Sequence, residues 1–257
     1  MEQIILLLPA LPLLSALLTH LLSGLLGRKL AHLSVSAGIL TFALACWLLW
    51  LTLAEDASHQ IALTDSWGIL LLDPLSSLMG LVVSGISLLV HIYSVRYMAE
   101  EAGYGRFFVL LDLMTAALLV MVAAGDLLTL LVAWHLIGVL LYLLLVQNTA
   151  DAATQRYAMW TMLTYRLGDL PLVLAAAVLV DAYGTWSLNE LFARIAEAPD
   201  VQTFGGFSAI ELAGLLIAYA AFARSAQFLL HNWLPYSMSG PTPVSALMHA
   251  GIVNAGG

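Results

Sequence analysis

The chain has 257 residues, of which 62% are hydrophobic and only 9% are charged, and its formal net charge is −8. Soluble domains carry about 25% charged residues, so this composition excludes a soluble globular protein and predicts an integral membrane protein. The single cysteine, Cys46, lies in an apolar stretch, which excludes a disulfide framework or a cysteine metal site within the chain.

Apolar stretches of about 20 residues, the length of a helix that crosses a bilayer, recur along the chain. Their lengths, and the absence of alternating polarity within them, predict helices rather than a membrane β-barrel. The predicted spans are residues 4–26, 33–54, 74–98, 107–124, 127–146, 157–180 and 208–234, with an eighth that begins near Thr242. We therefore expect an all-α, polytopic transmembrane helix bundle.

Two connections are long enough to hold structure of their own. Within the first, Ile61, Leu63 and Trp67 alternate with polar residues, which predicts a small strand or hairpin. Within the second, Ser187 and Glu190 have the spacing of a capping box, and we predict a short amphipathic helix over residues 186–198.

The positive charges predict the orientation. Connections after the first, third and fifth spans hold five of the eight Lys and Arg residues, whereas those after the even spans hold only Arg194. Basic loops stay on the cytoplasmic side, so the N-terminus is predicted to lie outside. Residues 1–26 lack a basic start and a cleavage site, so we expect the first span to be retained. The five basic residues are Arg28, Lys29, Arg96, Arg106 and Arg156.

Ionisable residues also lie inside the predicted spans. An ionisable side chain there costs about 2.5–3.5 kcal/mol and usually faces the bundle interior with a partner. Six of the eight spans hold such a residue or another polar group, which favours a water-lined or side-chain proton path over a purely structural bundle. The ionisable residues are His91, Asp112, His135, Arg166, Asp169, Arg224, His231 and His249.

Several of these residues also have a structural interpretation. Arg166 and Asp169 lie three residues apart on one helical face, and such a pair taken alone is more often structural than a relay. His91 and Asp112 could each be satisfied by a backbone carbonyl or interfacial water. The functional interpretation is favoured for His135 at mid-span, and more strongly for Arg224 and His249.

Helix breakers interrupt the apolar segment 224–251, RSAQFLLHNWLPYSMSGPTPVSALMHAG. Proline removes a backbone donor and disfavours helix before it, so we predict a break after a span that reaches Leu234. Arg224, Gln227 and His231 are spaced by three and four residues and predict a polar stripe along that span. The predicted break residues are Pro235, Gly240, Pro241 and Pro243, and a new helix is capped at Thr242.

Such a break has a functional meaning. Discontinuous helices at membrane depth are tolerated only next to protein or a cavity, and they commonly mark ion or substrate sites in transporters. His249 lies two turns into the new helix, and an imidazole titrates near pH 6.5, so it can pass protons at neutral pH. We expect the break and the ionisable groups to act together.

The same segment is similar to the antiporter-like membrane subunits of complex I, their chain L, and of the Mrp sodium/proton antiporters. Its GPTPVSA core is a specific signal, and LDPLS at 72–76, YGRFF at 104–108, AW at 133–134 and YRLGD at 165–169 follow in the expected order. The resemblance implies the first half of an antiporter-like inverted-repeat fold. Residues 1–106 would hold three helices and an outer loop, and residues 107–257 the first repeat, truncated in or near its last helix.

Two residues depart from the pattern of that family. In the family the residue after Trp134 is a glutamate and position 224 is a lysine, and the two form a switching pair; here they are His135 and Arg224. Arginine stays protonated, so it cannot pass a proton as a desolvated lysine can. We expect His135 to be neutral for much of a cycle, or Arg224 to pair with Asp169.

The ending MHAGIVNAGG is more similar to a third branch, the membrane subunit of DAB-type inorganic carbon accumulation complexes. This resemblance implies an energy-coupling subunit of the bacterial inner membrane, not a stand-alone catalyst. It would conduct protons or sodium ions and drive CO2 hydration or bicarbonate uptake by a carbonic-anhydrase-like partner. The expected ion pathway is His135, Arg166, Asp169, Arg224, His231, His249 and Asp112.

The expected partners are the lipid bilayer, the zinc-carrying partner subunit, and protons or sodium ions. We expect no nucleic-acid partner, and no metal or cofactor in this chain, because its histidines are not at metal-ligand spacing. Two alternatives remain open. One is a proton-pumping subunit of NADH-quinone oxidoreductase or of a membrane hydrogenase, and the other is an Mrp-type cation/proton antiporter.

Overall fold

A computed structural model describes residues 2–55, 58–64, 67–147, 151–203, 206–227, 230–238 and 240–249. Helices dominate these ranges. They are α1 (Glu2–Leu26), α2 (Leu30–Glu55), α3 (Pro74–Tyr97), α4 (Tyr104–Val122), α5 (Leu127–Leu145), α6 (Ala152–Tyr183), α7 (Leu188–Glu197), α8 (Ala209–Arg224), α9 (Trp233–Ser237) and α10 (Thr242–Leu247), with a one-turn 3-10 helix at Gly27–Lys29.

Helices α1 to α6 agree with the first six predicted spans to within about five residues at each end. Five segments in the described part of the chain are long and apolar enough to cross a membrane, and the first of them contains both α1 and α2. The all-α bundle is thereby confirmed. The segments are Ile4–Glu55, Pro74–Tyr97, Tyr104–Val122, Leu127–Leu145 and Ala152–Tyr183.

Three connections meet at one end of the bundle, which we call the hairpin end. Strands β1 (His59–Ala62) and β2 (Ile69–Leu72) pair in antiparallel fashion, as the alternating polarity predicts. The loop between α4 and α5 joins this hairpin, because Gly125 N–H donates to the Ile69 carbonyl at 2.8 Å. The segment before α7 joins the same loop, since Leu127 N–H donates to the Trp186 carbonyl at 2.9 Å.

The other three connections meet at the opposite end, which we call the basic end. Arg28, after α1, forms an ion pair with Glu100, after α3, at 3.3 Å. Gln147, after α5, donates to the Gly103 carbonyl at 3.0 Å. The two sets of loops that the charge bias separates in the sequence thus lie at opposite ends of the bundle. That the basic end faces the cytoplasm stays a prediction.

The amphipathic helix α7 forms as predicted, but its predicted capping box is wrong. Ser187 occupies the N-cap position and makes no side-chain cap hydrogen bond. Glu190 instead accepts hydrogen bonds from the Thr185 hydroxyl on Oε2 at 2.6 Å and from Arg194 on Oε1, so both of its carboxylate oxygens are engaged away from the N-cap. These hydrogen bonds, that of Thr185 first, lower the pKa of Glu190 below its ordinary value.

The helix break lies earlier than the sequence predicts. Helix α8 ends at Arg224, so the predicted continuation to Leu234 and the predicted stripe through Gln227 and His231 are wrong. Ala226 takes a left-handed conformation with φ of 51°, which turns the chain out of the helix. The carbonyl of Ala223 accepts from Ala226 N–H at 3.4 Å and from the Trp233 indole at 3.0 Å, in place of the hydrogen bond that a continuing helix would supply.

The four predicted break residues lie in or between α9 and α10, beyond the end of α8. Pro235 is the third residue of α9, within its first turn, where a missing N–H removes no helical hydrogen bond. Gly240 and Pro241 connect α9 to α10, and Pro243 is in the first turn of α10. The N-cap of α10 is Pro241 rather than the predicted Thr242, whose hydroxyl shares a 3.0 Å hydrogen bond with Tyr97.

Helix α8 packs tightly on α6 because a glycine lies at their contact. A Cβ added at Gly168 would lie 2.5 Å from the Cβ of Ala223, closer than real atoms approach. Small residues at helix interfaces allow such close approach in membrane proteins. Gly168 therefore determines how closely α8 packs on α6 at the end of α8, where Arg224 lies.

We expect Gly168→Ala to push α8 away from α6 and to destabilise the protein by about 1–3 kcal/mol, the usual cost of overpacking. Thermal unfolding of the detergent-solubilised protein measures this. Gly214→Ala in α8 is the matched control, since nothing lies within 4 Å of its added Cβ. Equal melting temperatures for the two variants would contradict the close packing at Gly168.

Candidate charged centre at Asp169

Three helices bring ionisable side chains together near the middle of the bundle. At 1.5 Å per residue, His135 lies about 12 Å along α5, and Asp169 lies about 26 Å along the long helix α6. Arg224 is the last residue of α8. Arg166 and Asp169 face this meeting point from the same side of α6, since they are three residues apart.

The Asp169 carboxylate is the common partner of the group, and its side chain is only 3% exposed. The Trp134 indole N–H donates to Oδ1 at 2.6 Å. Arg166 Nη1 lies 2.9 Å from Oδ2, which confirms the predicted local pair. Arg224 Nη1 lies 3.9 Å from Oδ1, and His135 Nε2 lies 3.9 Å from Oδ2. One carboxylate thus faces three potential cations.

Arg224 is held by aromatic rings. It is 1% exposed, and its Cζ lies 4.3 Å from the centroid of the Trp134 ring and 4.7 Å from that of Tyr165. Its Nη2 donates to the Trp134 carbonyl at 3.2 Å, while within the described residues Nε and Nη1 have no hydrogen-bond partner. A desolvated cation–π contact contributes about 2 kcal/mol, so the rings partly offset the cost of burying this guanidinium.

His135 is oriented by two backbone contacts. Its Nδ1 lies 2.8 Å from the Leu131 carbonyl, which can only accept, so Nδ1 carries a hydrogen. Its own carbonyl accepts from Arg166 Nη2 at 3.0 Å. His135 Nε2 lies on the side of the ring that faces the Asp169 carboxylate, and the side chain is 36% exposed. His135 is able to take up a proton on the side that faces Asp169.

The balance of charge at this centre is positive. The guanidiniums of Arg166 and Arg224 face the single carboxylate of Asp169, and arginine does not lose its proton in proteins. With His135 neutral, these four residues carry a net charge of +1. Protonation of His135 would add a third cation that competes for the same carboxylate, so proton binding and the arginine contacts are coupled.

The other predicted pathway residues lie elsewhere. Asp112, on α4, is buried against His91 of α3 at 3.0 Å and not at the Asp169 centre. His231 is exposed in the irregular segment before α9, and His249 is half-buried just after α10. Among the described residues, His91 pairs with Asp112, His135, Arg166 and Arg224 gather at Asp169, and His231 and His249 belong to neither group. The roles of these residues stay predictions.

Sequence reasoning missed the aromatic part of the centre. Trp134 and Tyr165 sandwich Arg224, and Trp233 packs on Tyr165 with ring centroids 4.7 Å apart. The only local signal is that an aromatic residue precedes each of His135 and Arg166. No spacing rule connects positions 134, 165 and 224, because they belong to three different helices.

Two of the four predicted break residues border a polar cavity instead of the Asp169 centre. A cavity of about 260 Å³ at the basic end is lined by Gly240 and Pro241 together with Glu101, Gln147 and Asp151. Asp151 begins α6, the helix that carries Asp169. The connection between α9 and α10 thus lies beside a cavity whose lining includes two acidic residues.

Comparison with known proteins identifies the family. A family model described as NADH:quinone oxidoreductase/Mrp antiporter, TM, matches residues 124–257, more than half of the chain. A second, described as NADH-Ubiquinone oxidoreductase (complex I), chain 5 N-terminus, matches residues 63–108. The chain belongs to the NADH:quinone oxidoreductase/Mrp antiporter family. This confirms the resemblance that the motifs predict.

Relatives within this family include a probable inorganic carbon transporter subunit and subunits of NADH-quinone oxidoreductase. A probable inorganic carbon transporter subunit DabB1 of Halothiobacillus neapolitanus is 61% identical, over 98% of this chain and 45% of the relative. NADH-quinone oxidoreductase subunit L of Neisseria meningitidis is 32% identical, over 95% of this chain and 39% of the relative. The chain thus spans less than half the length of these relatives.

Two solved structures share the fold. The Mrp complex from Dietzia contains a chain that is 30% identical, with a TM-score of 0.83 over 98% of this chain and 27% of that chain. The membrane-bound sulfane sulfur reductase, an archaeal respiratory membrane complex, gives a TM-score of 0.88 at 21% identity, over 99% of this chain and 52% of that chain. Both support an antiporter-like helix bundle.

We expect Asp169→Asn to destabilise the protein by about 3–5 kcal/mol, because it leaves the buried guanidinium of Arg224 and the partly buried one of Arg166 without a counter-charge. The amide keeps the shape of the side chain, so any loss of stability is caused by the missing charge and not by a change in volume. Thermal unfolding in detergent measures it, with Glu211→Gln as the control at an exposed acid in the first turn of α8. A variant as stable as the control would show that Asp169 is not the counter-ion.

Proposed function

We propose that the chain is the membrane energy-coupling subunit of an inorganic carbon uptake complex, and that it conducts protons to drive the work of a carbonic-anhydrase-like partner. The observation that carries this proposal is a titratable imidazole whose Nε2 faces, at 3.9 Å, a carboxylate shared by two arginines. The 61% identity to a probable inorganic carbon transporter subunit supports the choice of substrate.

In this mechanism His135 is the group that binds and releases the proton. Nδ1 is held as a donor by the Leu131 carbonyl, so an arriving proton adds at Nε2. The resulting imidazolium attracts the Asp169 carboxylate and weakens its contacts with Arg166 and Arg224. Release of the proton restores those contacts. Arg224 never passes a proton itself and acts as a fixed positive charge.

The same charges favour protons over sodium ions. A sodium ion needs a set of oxygen ligands, and the Asp169 carboxylate is already engaged by Trp134 and Arg166. The net charge of +1 at the centre would repel a further free cation. A proton meets the same repulsion but needs no set of oxygen ligands, because it binds covalently to the imidazole of His135.

Coupling to carbon uptake follows from the chemistry of CO2 hydration. Hydration of CO2 to bicarbonate releases one proton, so a membrane subunit that controls proton movement can make the reaction run in one direction. The zinc that such hydration uses would belong to the partner and lower the pKa of its bound water to about 7. In this proposal the cavity at Glu101 and Asp151 is where protons exchange with the basic end.

We expect Arg224→Ala to abolish uptake while the protein stays inserted, because the fixed charge that opposes His135 protonation is lost. Arg224→Lys should retain part of the activity, since it keeps a cation. Expression with the partner subunits in a carbonic-anhydrase-deficient host, scored by growth in air, measures uptake. Arg28→Gln removes an exposed arginine and is the control. Normal growth with Arg224→Ala would refute the fixed-charge role.

We expect His135→Gln and His249→Ala to abolish growth in the same assay, because neither replacement can bind a proton near neutral pH. His32→Gln, at an exposed position of α2, is the control and should grow normally. Sodium/proton exchange by reconstituted vesicles, with no rescue of growth by the unsubstituted complex, would favour an antiporter instead.

A further inference from the structure

A second buried acid–base pair lies outside the Asp169 centre. His91 on α3 and Asp112 on α4 approach to 3.0 Å between Nε2 and Oδ1, and both side chains are only 2% exposed. Ser15 on α1 donates its hydroxyl to the other carboxylate oxygen, Oδ2, at 2.8 Å. Three helices therefore supply a closed polar site that the proposed mechanism at His135 does not use.

The hydrogen bonds determine where the protons lie. Thr115 donates its hydroxyl to the Leu111 carbonyl at 2.9 Å, so Ser87 must donate its own hydroxyl to Thr115, 2.5 Å away. His91 Nδ1 then faces two acceptors on Ser87, the carbonyl at 2.7 Å and Oγ at 3.3 Å, and must carry a hydrogen. One further proton is required between His91 Nε2 and Asp112 Oδ1.

This shared proton makes the pair neutral. Whether it resides on the imidazole or on the carboxyl, the two residues together carry no net charge. Within the described residues, the pair has hydrogen bonds with Ser15 of α1 and Ser87 of α3 and a ring contact with Phe108 of α4, and none of these groups is charged. Loss of the proton would leave a buried carboxylate with one hydroxyl donor, so the proton leaves only when another replaces it.

The position of the pair connects it to the basic end. His91 is six residues, about 9 Å, from the end of α3 at Tyr97, and Asp112 is eight residues, about 12 Å, from the start of α4 at Tyr104. Buried hydroxyls and His91 follow one another along α3 at intervals of three, four and three residues. They are Ser84, Ser87, His91 and Ser94, all at most 2% exposed. Ser94 lies between the pair and the basic end.

We propose that the His91–Asp112 pair is a second proton-binding site, which exchanges its shared proton with the basic end during the transport cycle. This inference rests on the proposed function in that it assumes a proton-conducting protein. It adds a site on α1, α3 and α4 that is separate from the one on α5, α6 and α8. Stability alone does not explain why these two residues are buried here, because an apolar pair of similar volume is often as stable as a buried ion pair.

Asp112→Asn separates the two roles. The asparagine oxygen still accepts from Ser15, and its amide donates to His91 Nε2, so every hydrogen bond of the site is kept. The amide proton cannot be passed on. We expect the melting temperature to stay unchanged and the proton flux into proteoliposomes, measured with the complete complex and a pH-sensitive dye, to fall by about 100-fold. Asp181→Asn, at an exposed position near the end of α6, is the matched control.

Unchanged flux with Asp112→Asn would overturn the inference and leave the proposed function intact. Absence of proton flux in the unsubstituted complex would overturn both. If Asp112→Asn lowers the melting temperature together with the flux, infrared spectroscopy of the unsubstituted protein decides. The bands of the shared proton should shift on transfer to heavy water under transport conditions, and bands that do not shift would refute exchange at this pair.

Discussion

The burial of one carboxylate between two guanidiniums is the interaction on which the candidate site depends. Asp169 contacts Arg166 on its own helix, Arg224 from α8 and Trp134 from α5, so a single residue connects three helices. Charges this deeply buried are stable only when they are paired and hydrogen-bonded. The aromatic rings of Trp134 and Tyr165 complete the arrangement, because they contact the guanidinium of Arg224, which has no acidic partner besides Asp169 among the described residues.

This arrangement also explains why α8 ends where it does. The helix stops at Arg224, and the indole of Trp233 satisfies a carbonyl that the next turn would have used. Gly168 allows α8 to approach α6 closely enough for the guanidinium to enter between the two rings. The end of α8, the glycine contact and the charged centre therefore lie together in the bundle.

The bundle contains two groups of buried or partly buried ionisable residues, which differ in net charge and in exposure. The Asp169 centre carries a net positive charge and includes the half-exposed His135, whereas the His91–Asp112 pair is neutral and closed. In the proposed function the first site changes its contacts when a proton binds, while the second holds a proton until another replaces it. Two sites on different helices permit sequential steps, because among the described residues the hydrogen-bond partners of one site differ from those of the other.

The sequence by itself determined the helices α1 to α6, the hairpin, the separation of the two sets of loops and the Arg166–Asp169 pair. These depend on local composition, on periodicity and on spacing along one helix. Only the tertiary structure decided that Asp112 pairs with His91, that aromatic rings enclose Arg224, and that α8 ends at Arg224 instead of Leu234. Such contacts join residues from different helices, and helical periodicity shows which face a residue occupies but not which helix lies against that face.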